Sequence, residues 1–288
     1  MQRRLPTASI THLPGIRGTR VAVIEPAAVE REALAFMGYG GWTSRFELQR
    51  FALLAERWRT RIVVPEVPGC SARPTRVSAR QAVALARGDF RRLAGDMIRG
   101  AAPALSRPGP TLLVGYSMGA SLASAALAVA SRAELVATHI VLVEPVAIQR
   151  WSPTALIRAT EAEDALAGQY VAETMAWEGA VLPPEDDAQA QPHHRDRLSM
   201  TLLGNALRHE RLRVDLRAGL AERPEASVAI VRGEQSLLCP PKAALQLAHV
   251  IRQQGTAVTD IALAGSHPLW HSLDQVSTLA TRVKASWS

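Results

Sequence analysis

The sequence predicts an α/β protein whose mostly parallel sheet is covered by helices on both faces. The first observation behind this prediction is that short apolar runs, many of them β-branched, alternate with helical stretches along most of the chain. The second is that the alternation stops between residues 145 and 223, where helical stretches follow one another directly. Together they indicate a single α/β domain that carries a helical insertion.

The apolar runs are the predicted strands of the sheet. They span residues 20–24, 33–37, 61–65, 111–115, 139–143, 226–231 and 258–263. Between them, helices are predicted over residues 45–58, 78–98, 242–253 and 273–285, and one more directly after Ser117. The stretch 78–98 is expected to be one long helix, because Ala82, Ala86, Phe90, Leu93 and Met97 recur three or four positions apart.

The interruption of the alternation defines the predicted domain organisation. Helices at about 154–177 and 195–220 flank a polar, proline-bearing break at 182–194. An all-helical insertion between two sheet strands is most simply a cap over the strand ends, where open α/β sheets bind ligands. The expected organisation is therefore a core of residues 1–145 and 224–288 with a helical cap of residues 146–223.

Composition and charge narrow the class of protein. The 288 residues are 48% hydrophobic, and no stretch has the roughly 18 uninterrupted apolar residues of a membrane helix. Cys70 and Cys239 are too few for a disulfide framework, which favours a reducing cytoplasm. The net charge of +7 comes from scattered arginines without interleaved aromatics, so nucleic-acid binding is not expected. Oligomeric state is left open.

The most informative motif is the pentapeptide 115–119, Gly-Tyr-Ser-Met-Gly. It directly follows an apolar run and precedes a stretch of small residues, an order that predicts strand, sharp turn and helix with Ser117 at the apex. Glycines on both sides allow the turn to close and the hydroxyl to stand clear of the sheet. The following helix directs its N-terminal amides and its positive dipole end at the apex. Ser117 is therefore the predicted nucleophile.

Three further motifs accompany this turn: Phe-Met-Gly-Tyr-Gly-Gly-Trp at 36–42, Pro-Glu-Val-Pro-Gly-Cys-Ser at 65–71, and Gly-Ser-His at 265–267. Together with the order of elements, they resemble the α/β-hydrolase superfamily over essentially the whole chain. There they would correspond to the oxyanion loop, an Asp-x-Pro-Gly turn and the loop of the catalytic base. The chain departs from the family pattern with Met37 where histidine is common, Glu66 for aspartate, and Cys70-Ser71-Ala72 for the usual glycine-serine ending.

The resemblance implies a mostly parallel sheet of about eight strands and a hydrolase with a serine nucleophile. The implied substrate is a small or hydrophobic acyl ester or thioester, cleaved through an acyl-enzyme intermediate without a cofactor or metal. Other chemistries of the fold remain alternatives: a lactonase, an amidase, a C–C hydrolase, an acyltransferase, or a binding protein without catalysis.

A serine hydroxyl needs a base to remove its proton. Of the eight histidines, His267 lies between the last predicted strand and the last helix, where the order serine, acid, histidine requires the base. The acid has more than one candidate, because Ser236 occupies its usual position after the strand 226–231. Three solutions stay open: Glu144 at the end of the preceding strand, as in some haloalkane dehalogenases, Glu234, or a Ser–His pair without an ionised acid.

The resemblance also implies an oxyanion hole made of backbone amides. The expected donors are the N–H groups of Tyr39 and Met118, with Gly38 in the same loop. Because these donors are backbone groups, Met37 in place of histidine leaves them intact. Trp42 and Trp151 are expected walls of the substrate pocket.

Overall fold

The structure, a computed structural model, describes residues 3–5, 7–106, 109–183 and 193–287. Its centre is an eight-stranded sheet. The strands are β1 (Ser9–Pro14), β2 (Arg20–Glu25), β3 (Arg31–Phe36), β4 (Thr60–Pro65), β5 (Leu112–Tyr116), β6 (His139–Val143), β7 (Ser227–Gly233) and β8 (Ala257–Leu263). Every strand expected from an apolar run is present, within a few residues of its expected bounds.

The order of the strands in the sheet is β8-β7-β6-β5-β3-β4-β2-β1. Strands β3 to β8 are mutually parallel, whereas β2 is antiparallel to both of its neighbours. The predicted fold class is thus confirmed. Strand β1 was not predicted, because all six of its residues are exposed and its sequence carries no burial pattern.

The helices that accompany the sheet are α1 (Arg45–Trp58), α2 (Ala79–Ala86), α3 (Arg91–Ala101), α4 (Met118–Val129), α5 (Pro153–Thr174), α6 (Arg197–Leu207), α7 (Arg211–Ala221), α8 (Pro241–Arg252) and α9 (Leu273–Ala285). Several begin at a serine whose side chain accepts the N–H of the third helical residue, as Ser44 does for α1 and Ser272 for α9. None of the helices in the described part of the chain is long and apolar enough to cross a membrane.

The expectation of one long helix over 78–98 was wrong. The segment forms α2 and α3, which are separated at Gly88. Gly88 has a φ of +78°, which a residue with a side chain rarely adopts, and a β-carbon there would collide with the His209 ring. The three- or four-residue spacing of the apolar residues continues across the break, so periodicity alone does not reveal it.

The described residues of 146–223 hold α5, α6 and α7, and the strand segments among them are short, at Trp177–Glu178 and His194–Arg195. The expected helix at 195–220 is two helices, α6 and α7, with a break at residues 208–210. Helix α7 packs along α4, and its leucines belong to the same apolar core as the sheet. Residues 184–192 of the expected polar break lie outside the described residues. The division into core and cap stays a prediction.

The core forms one apolar layer on each face of the sheet. Alternate strand residues point to opposite faces, so Leu113 joins the layer under α3 and α4, while Val114 joins the layer under α1 and α9. Because β3 to β8 run parallel, their carboxyl ends lie at one common edge of the sheet. The loops after β3, β5, β6, β7 and β8 all meet at this edge, which is where ligand sites of such sheets form.

Candidate active site

Ser117 lies at a sharp turn between β5 and α4. Its backbone is in an unfavourable region, with φ 54° and ψ −115°, a conformation that costs about 1–3 kcal/mol unless the surroundings impose it. The surroundings do so through close packing, because a β-carbon at Gly115 or Gly119 would collide with neighbouring backbone atoms. The Ser117 N–H donates to the Val143 carbonyl oxygen at 2.8 Å. The turn thus presents the hydroxyl above the carboxyl edge of the sheet.

A continuous hydrogen-bond chain joins three of the predicted site residues. The Nε2 atom of His267 lies 3.0 Å from the Ser117 hydroxyl oxygen, and its Nδ1 atom lies 2.9 Å from a carboxylate oxygen of Glu144. All three side chains are buried. The His267 ring also stacks on the ring of Tyr116, with the centroids 5.6 Å apart. These contacts fix one face and both nitrogens of the imidazole.

Glu144 is held at the end of β6 by backbone and side-chain partners. Its φ of 51° turns the chain away from the strand, and its N–H donates to the Val231 carbonyl oxygen at 2.7 Å. One carboxylate oxygen accepts the Gly233 N–H, and the other accepts the Ser236 hydroxyl at 2.5 Å as well as the imidazole.

The two carboxylates considered as the acid lie in different surroundings. Glu234 is exposed to solvent at the end of β7, and only its backbone is tied to Leu263. Ser236, at the usual acid position, donates to Glu144 and accepts the Cys239 N–H at 2.9 Å. The geometry therefore favours Glu144 over Glu234 as the partner of His267, with Ser236 supporting the carboxylate.

The loop after β3 passes directly beside the nucleophile. A β-carbon added to Gly38 would lie 3.0 Å from the Tyr116 ring and 3.4 Å from the Ser117 β-carbon, so the loop backbone touches the turn. Met118 is the first residue of α4, and its N–H therefore has no carbonyl partner in the preceding helical turn. The expected amide donors, Tyr39 and Met118, thus belong to segments that meet at Ser117.

The three aromatic residues expected at the site, Tyr39, Trp42 and Trp151, contact different parts of the structure. Tyr39 is half exposed, and its hydroxyl donates to the Met200 carbonyl oxygen of α6 at 3.0 Å. Trp42 is buried and stacks on the His193 ring, with centroids 5.2 Å apart. Trp151 donates its ring N–H to the Val146 carbonyl oxygen at 3.1 Å. Tyr39 and Trp42 therefore connect the loop after β3 with the segment 193–207.

Glu66, in the turn at residues 65–71, has a structural position away from the hydrogen-bond chain. This fully buried carboxylate accepts the Arg20 N–H at 2.9 Å, the Thr43 hydroxyl at 2.5 Å and the Ala72 N–H at 3.2 Å. It thereby ties the turn to the loop that precedes α1.

Burial governs the titration of the groups that surround His267. It raises the pKa of the Tyr116 hydroxyl well above its ordinary value, and the carboxylates of Glu47 and Glu144 raise it further. Burial, followed by the charges of Arg50 and His267, lowers the pKa of His271 to about 3. An imidazole with so low a pKa is neutral at physiological pH and is a weak base.

Sequence reasoning missed a polar stripe on α5 that contacts the His267 loop. Glu163 accepts the His267 N–H at 3.0 Å, Tyr170 accepts the Ser266 N–H at 2.6 Å, and Thr174 donates to the His271 carbonyl oxygen at 2.7 Å. These residues recur at intervals of seven and four positions, which places them on one helical face. That spacing was the available signal.

Arg50 of α1 was also missed. It is fully buried and donates to the carbonyl oxygens of Phe46 at 2.7 Å and His271 at 2.6 Å, and to the Thr174 hydroxyl at 3.3 Å. Burial lowers the pKa of its guanidinium to about 10, which still leaves it charged at neutral pH. Arg50 and α5 together enclose the turn that carries His267.

With the fold and the site in place, the chain can be assigned to a family. The model of the alpha/beta hydrolase family matches residues 35–279, and the chain belongs to this family. No curated protein matches it.

Solved structures with similar folds cover nearly all of the chain. One is a thioesterase domain from the curacin biosynthetic pathway, at 18% identity and a TM-score of 0.57, covering 96% of this chain and 99% of that one. Another is an N-formylmaleamic acid deformylase from Pseudomonas putida, at 14% identity and a TM-score of 0.60, covering 95% and 100%. A third is an esterase from Pyrobaculum calidifontis, at 15% and 0.56, covering 99% and 87%. At these identities the likeness establishes the fold alone.

Proposed function

We propose that the protein is a serine hydrolase that cleaves ester or thioester bonds through an acyl-enzyme intermediate. The observation that carries the proposal is the hydrogen-bond chain from Ser117 through His267 to Glu144, at 3.0 and 2.9 Å. A nucleophile, a base within reach of its proton, and an acid that orients the base are the required parts of such a site.

The first step is acylation. The Ser117 oxygen forms a bond to the substrate carbonyl carbon while its proton moves to Nε2 of His267. The carbonyl π electrons move onto the oxygen, which becomes an oxyanion. Glu144 keeps the imidazole in the tautomer with Nδ1 protonated and stabilises the imidazolium as it forms. The oxyanion electrons then re-form the C=O bond, the bond from the carbonyl carbon to the leaving oxygen or sulfur breaks, and the leaving group takes the proton from Nε2, which leaves the acyl group on Ser117.

The oxyanion is proposed to accept hydrogen bonds from the N–H groups of Tyr39 and Met118, with Gly38 allowing the loop to approach. Each such donor contributes about 3 kcal/mol to the transition state. Water then attacks the acyl-enzyme, gives its proton to His267, and releases the acid with Ser117 reprotonated. The proposed steps use only protein side chains, backbone amides and water, and require no metal or cofactor.

Residues 146–223 are proposed to act as a cap over this site. Tyr39 reaches Met200 and Trp42 stacks on His193, so the segment 193–207 lies against the oxyanion loop. Trp42 and Trp151 are the proposed walls of the acyl pocket. Apolar walls favour a small or hydrophobic acyl group, and a small-molecule substrate suits a cytoplasmic enzyme without nucleic-acid or membrane partners.

The experiment that tests this function is covalent labelling with a fluorophosphonate, which captures an activated serine. We expect rapid labelling of the wild type on the peptide that contains Ser117, and none in Ser117→Ala. Ser124→Ala is the matched control, because its hydroxyl donates to the Ala120 carbonyl oxygen within the same helix. Hydrolysis of p-nitrophenyl and thioester acyl substrates of increasing chain length then defines the leaving group and the acyl preference.

A folded wild type that neither labels nor hydrolyses any acyl substrate would contradict the proposal. Labelling that persists in Ser117→Ala would equally contradict it, because a different nucleophile would then carry the reaction.

A further inference from the structure

We propose that Glu163 of α5 is a positioning residue that holds His267 in line between Ser117 and Glu144. The inference rests on the proposed function and assigns it a fourth side chain, located in the helical segment rather than in the sheet.

Glu163 binds the two loops that complete the site. One of its carboxylate oxygens accepts the backbone N–H of His267 at 3.0 Å, and the other accepts the backbone N–H of Leu237. Leu237 directly follows Ser236, whose hydroxyl supports Glu144. A single side chain therefore fixes the loop of the base and the loop that supports the acid relative to each other.

Glu163 is almost completely buried, although most of α5 around it is exposed. Burying a charged carboxylate is costly unless its oxygens are hydrogen-bonded. Here each oxygen has one backbone donor. Glutamine could accept from only one of the two amides, because its NH₂ group is a donor and would face the other N–H. The site is thus built for a carboxylate.

Neighbouring contacts of α5 constrain the same loop. The Tyr170 hydroxyl accepts the N–H of Ser266 at 2.6 Å, so two consecutive amides of the loop end on one helical face. Gly265 has a φ of +115°, and a β-carbon there would collide with the Tyr170 hydroxyl. The loop therefore turns at Gly265, where the Tyr170 side chain of α5 leaves no room for a larger residue.

Precise placement matters because the imidazole must reach Ser117 and Glu144 at the same time, at 3.0 and 2.9 Å. Misplacement of a catalytic group by about 1 Å can cost about 100-fold in rate. Loss of the hydrogen bond from the His267 N–H to Glu163 would let the loop shift, while Ser117, His267 and Glu144 all stay in place in the sequence. The expected signature is a lower kcat with an unchanged KM, since Glu163 does not itself touch the substrate.

The test compares Glu163→Gln and Glu163→Leu with the wild type. Glu161→Gln is the matched control, because it removes the same charge from an exposed position of the same helix. With p-nitrophenyl acetate, we expect kcat to fall about 10-fold in Glu163→Gln and about 100-fold in Glu163→Leu, with KM within about threefold. Glu161→Gln should match the wild type.

A second readout does not depend on turnover. The Nδ1 proton that His267 shares with Glu144 gives a downfield proton NMR resonance, which we expect to shift and broaden in Glu163→Gln but not in Glu161→Gln. Wild-type kcat and an unchanged resonance in folded Glu163→Gln would overturn the inference, as would a loss carried by KM. If the wild type has no activity at all, the proposed function fails, and the resonance alone decides whether Glu163 positions His267.

Discussion

Glu144, the proposed acid, lies at a different place in the sequence from the usual acid position, yet close to it in space. Strands β6 and β7 are neighbours in the sheet, so carboxylates at their ends can approach the same imidazole nitrogen. Here the carboxylate comes from β6, and the position after β7 carries Ser236, whose hydroxyl donates to it at 2.5 Å. The serine at the usual acid position is thus a hydrogen-bond partner of the proposed acid.

The first prediction concerns moving the carboxylate by substitution from residue 144, after β6, to residue 236, after β7. Glu144→Gln should lower kcat about 1,000-fold, because a neutral amide no longer stabilises the imidazolium. Glu144→Gly/Ser236→Asp should recover about 10-fold or more over Glu144→Gly alone, since aspartate at the neighbouring strand end reaches the same nitrogen. Glycine is chosen because it tolerates the φ of 51° at this position. Ester hydrolysis and fluorophosphonate labelling rates provide the measurement.

Glu234→Gln is the control for this prediction, because it removes a nearby exposed carboxylate. Wild-type activity in Glu144→Gln would refute the assignment of the acid. A large loss in Glu234→Gln would refute it as well and would move the acid to the exposed position.

At the scale of elements, Arg223 joins two helices that the sequence does not relate to each other. It is fully buried and lies two residues after the end of α7. Its guanidinium donates to the carbonyl oxygens of Leu127 at 3.0 Å and Ala130 at 2.9 Å, near the end of α4, and of Leu135 beyond it at 3.0 Å. Carbonyls at helix ends have no partner within their own helix, so one cation completes the end of α4.

The second prediction follows from this arrangement. Arg223→Lys should lower the free energy of unfolding by about 2–4 kcal/mol, because lysine cannot reproduce the planar set of donors and leaves buried carbonyls unpaired. Urea unfolding monitored by circular dichroism measures the difference. Arg217→Lys, at an exposed position of α7, is the matched control and should change the midpoint little. Equal midpoints for the two variants would argue against the capping role of Arg223.

The burial and contacts of each element explain whether it could be predicted from the sequence. The buried strands are apolar runs, so each was found, whereas β1 is exposed throughout and has no pattern to detect. The break at Gly88 depends on its contact with His209, which is more than a hundred residues away in the chain. Glycine within an apolar period does not by itself end a helix.

Some residues of the candidate site could likewise be predicted from local motifs, and others could not. Ser117 and His267 stand in local motifs, so their neighbours in the sequence point to both residues. Choosing between Glu144 and Glu234 required the distance between loops that are far apart in sequence, and no motif contains that distance. Glu163 illustrates the limit further, since its partners are backbone amides, which leave no side-chain signature.

Considered as a whole, the molecule lowers the pKa of several partly buried imidazoles. Partial burial is the first cause that lowers the pKa of His139, His209 and His271, and nearby arginine charges lower it further in each case. The effect is largest for His271, whose pKa is about 3. His271 lies next to the buried guanidinium of Arg50, which binds its carbonyl oxygen, and its ring packs edge-on against Phe46.

The third prediction concerns acid stability. In the unfolded chain His271 takes up a proton near pH 6.5, whereas in the folded protein it does so only near pH 3. Between these values the unfolded state binds more protons, so stability is full above pH 6.5 and falls as the pH decreases towards 3. This histidine alone should contribute a loss of the order of 1 kcal/mol per pH unit.

Urea midpoints of the wild type and His271→Gln between pH 7.5 and about pH 5 measure this contribution. We expect the midpoint of the variant to decline less steeply than that of the wild type, even if the variant is less stable at neutral pH. His249→Gln, which replaces an exposed histidine of α8, should follow the wild-type slope. Parallel slopes for His271→Gln and the wild type would mean that the protein accommodates a charged imidazole beside Arg50. The turn that carries His267 would then admit more solvent than the close packing around it indicates.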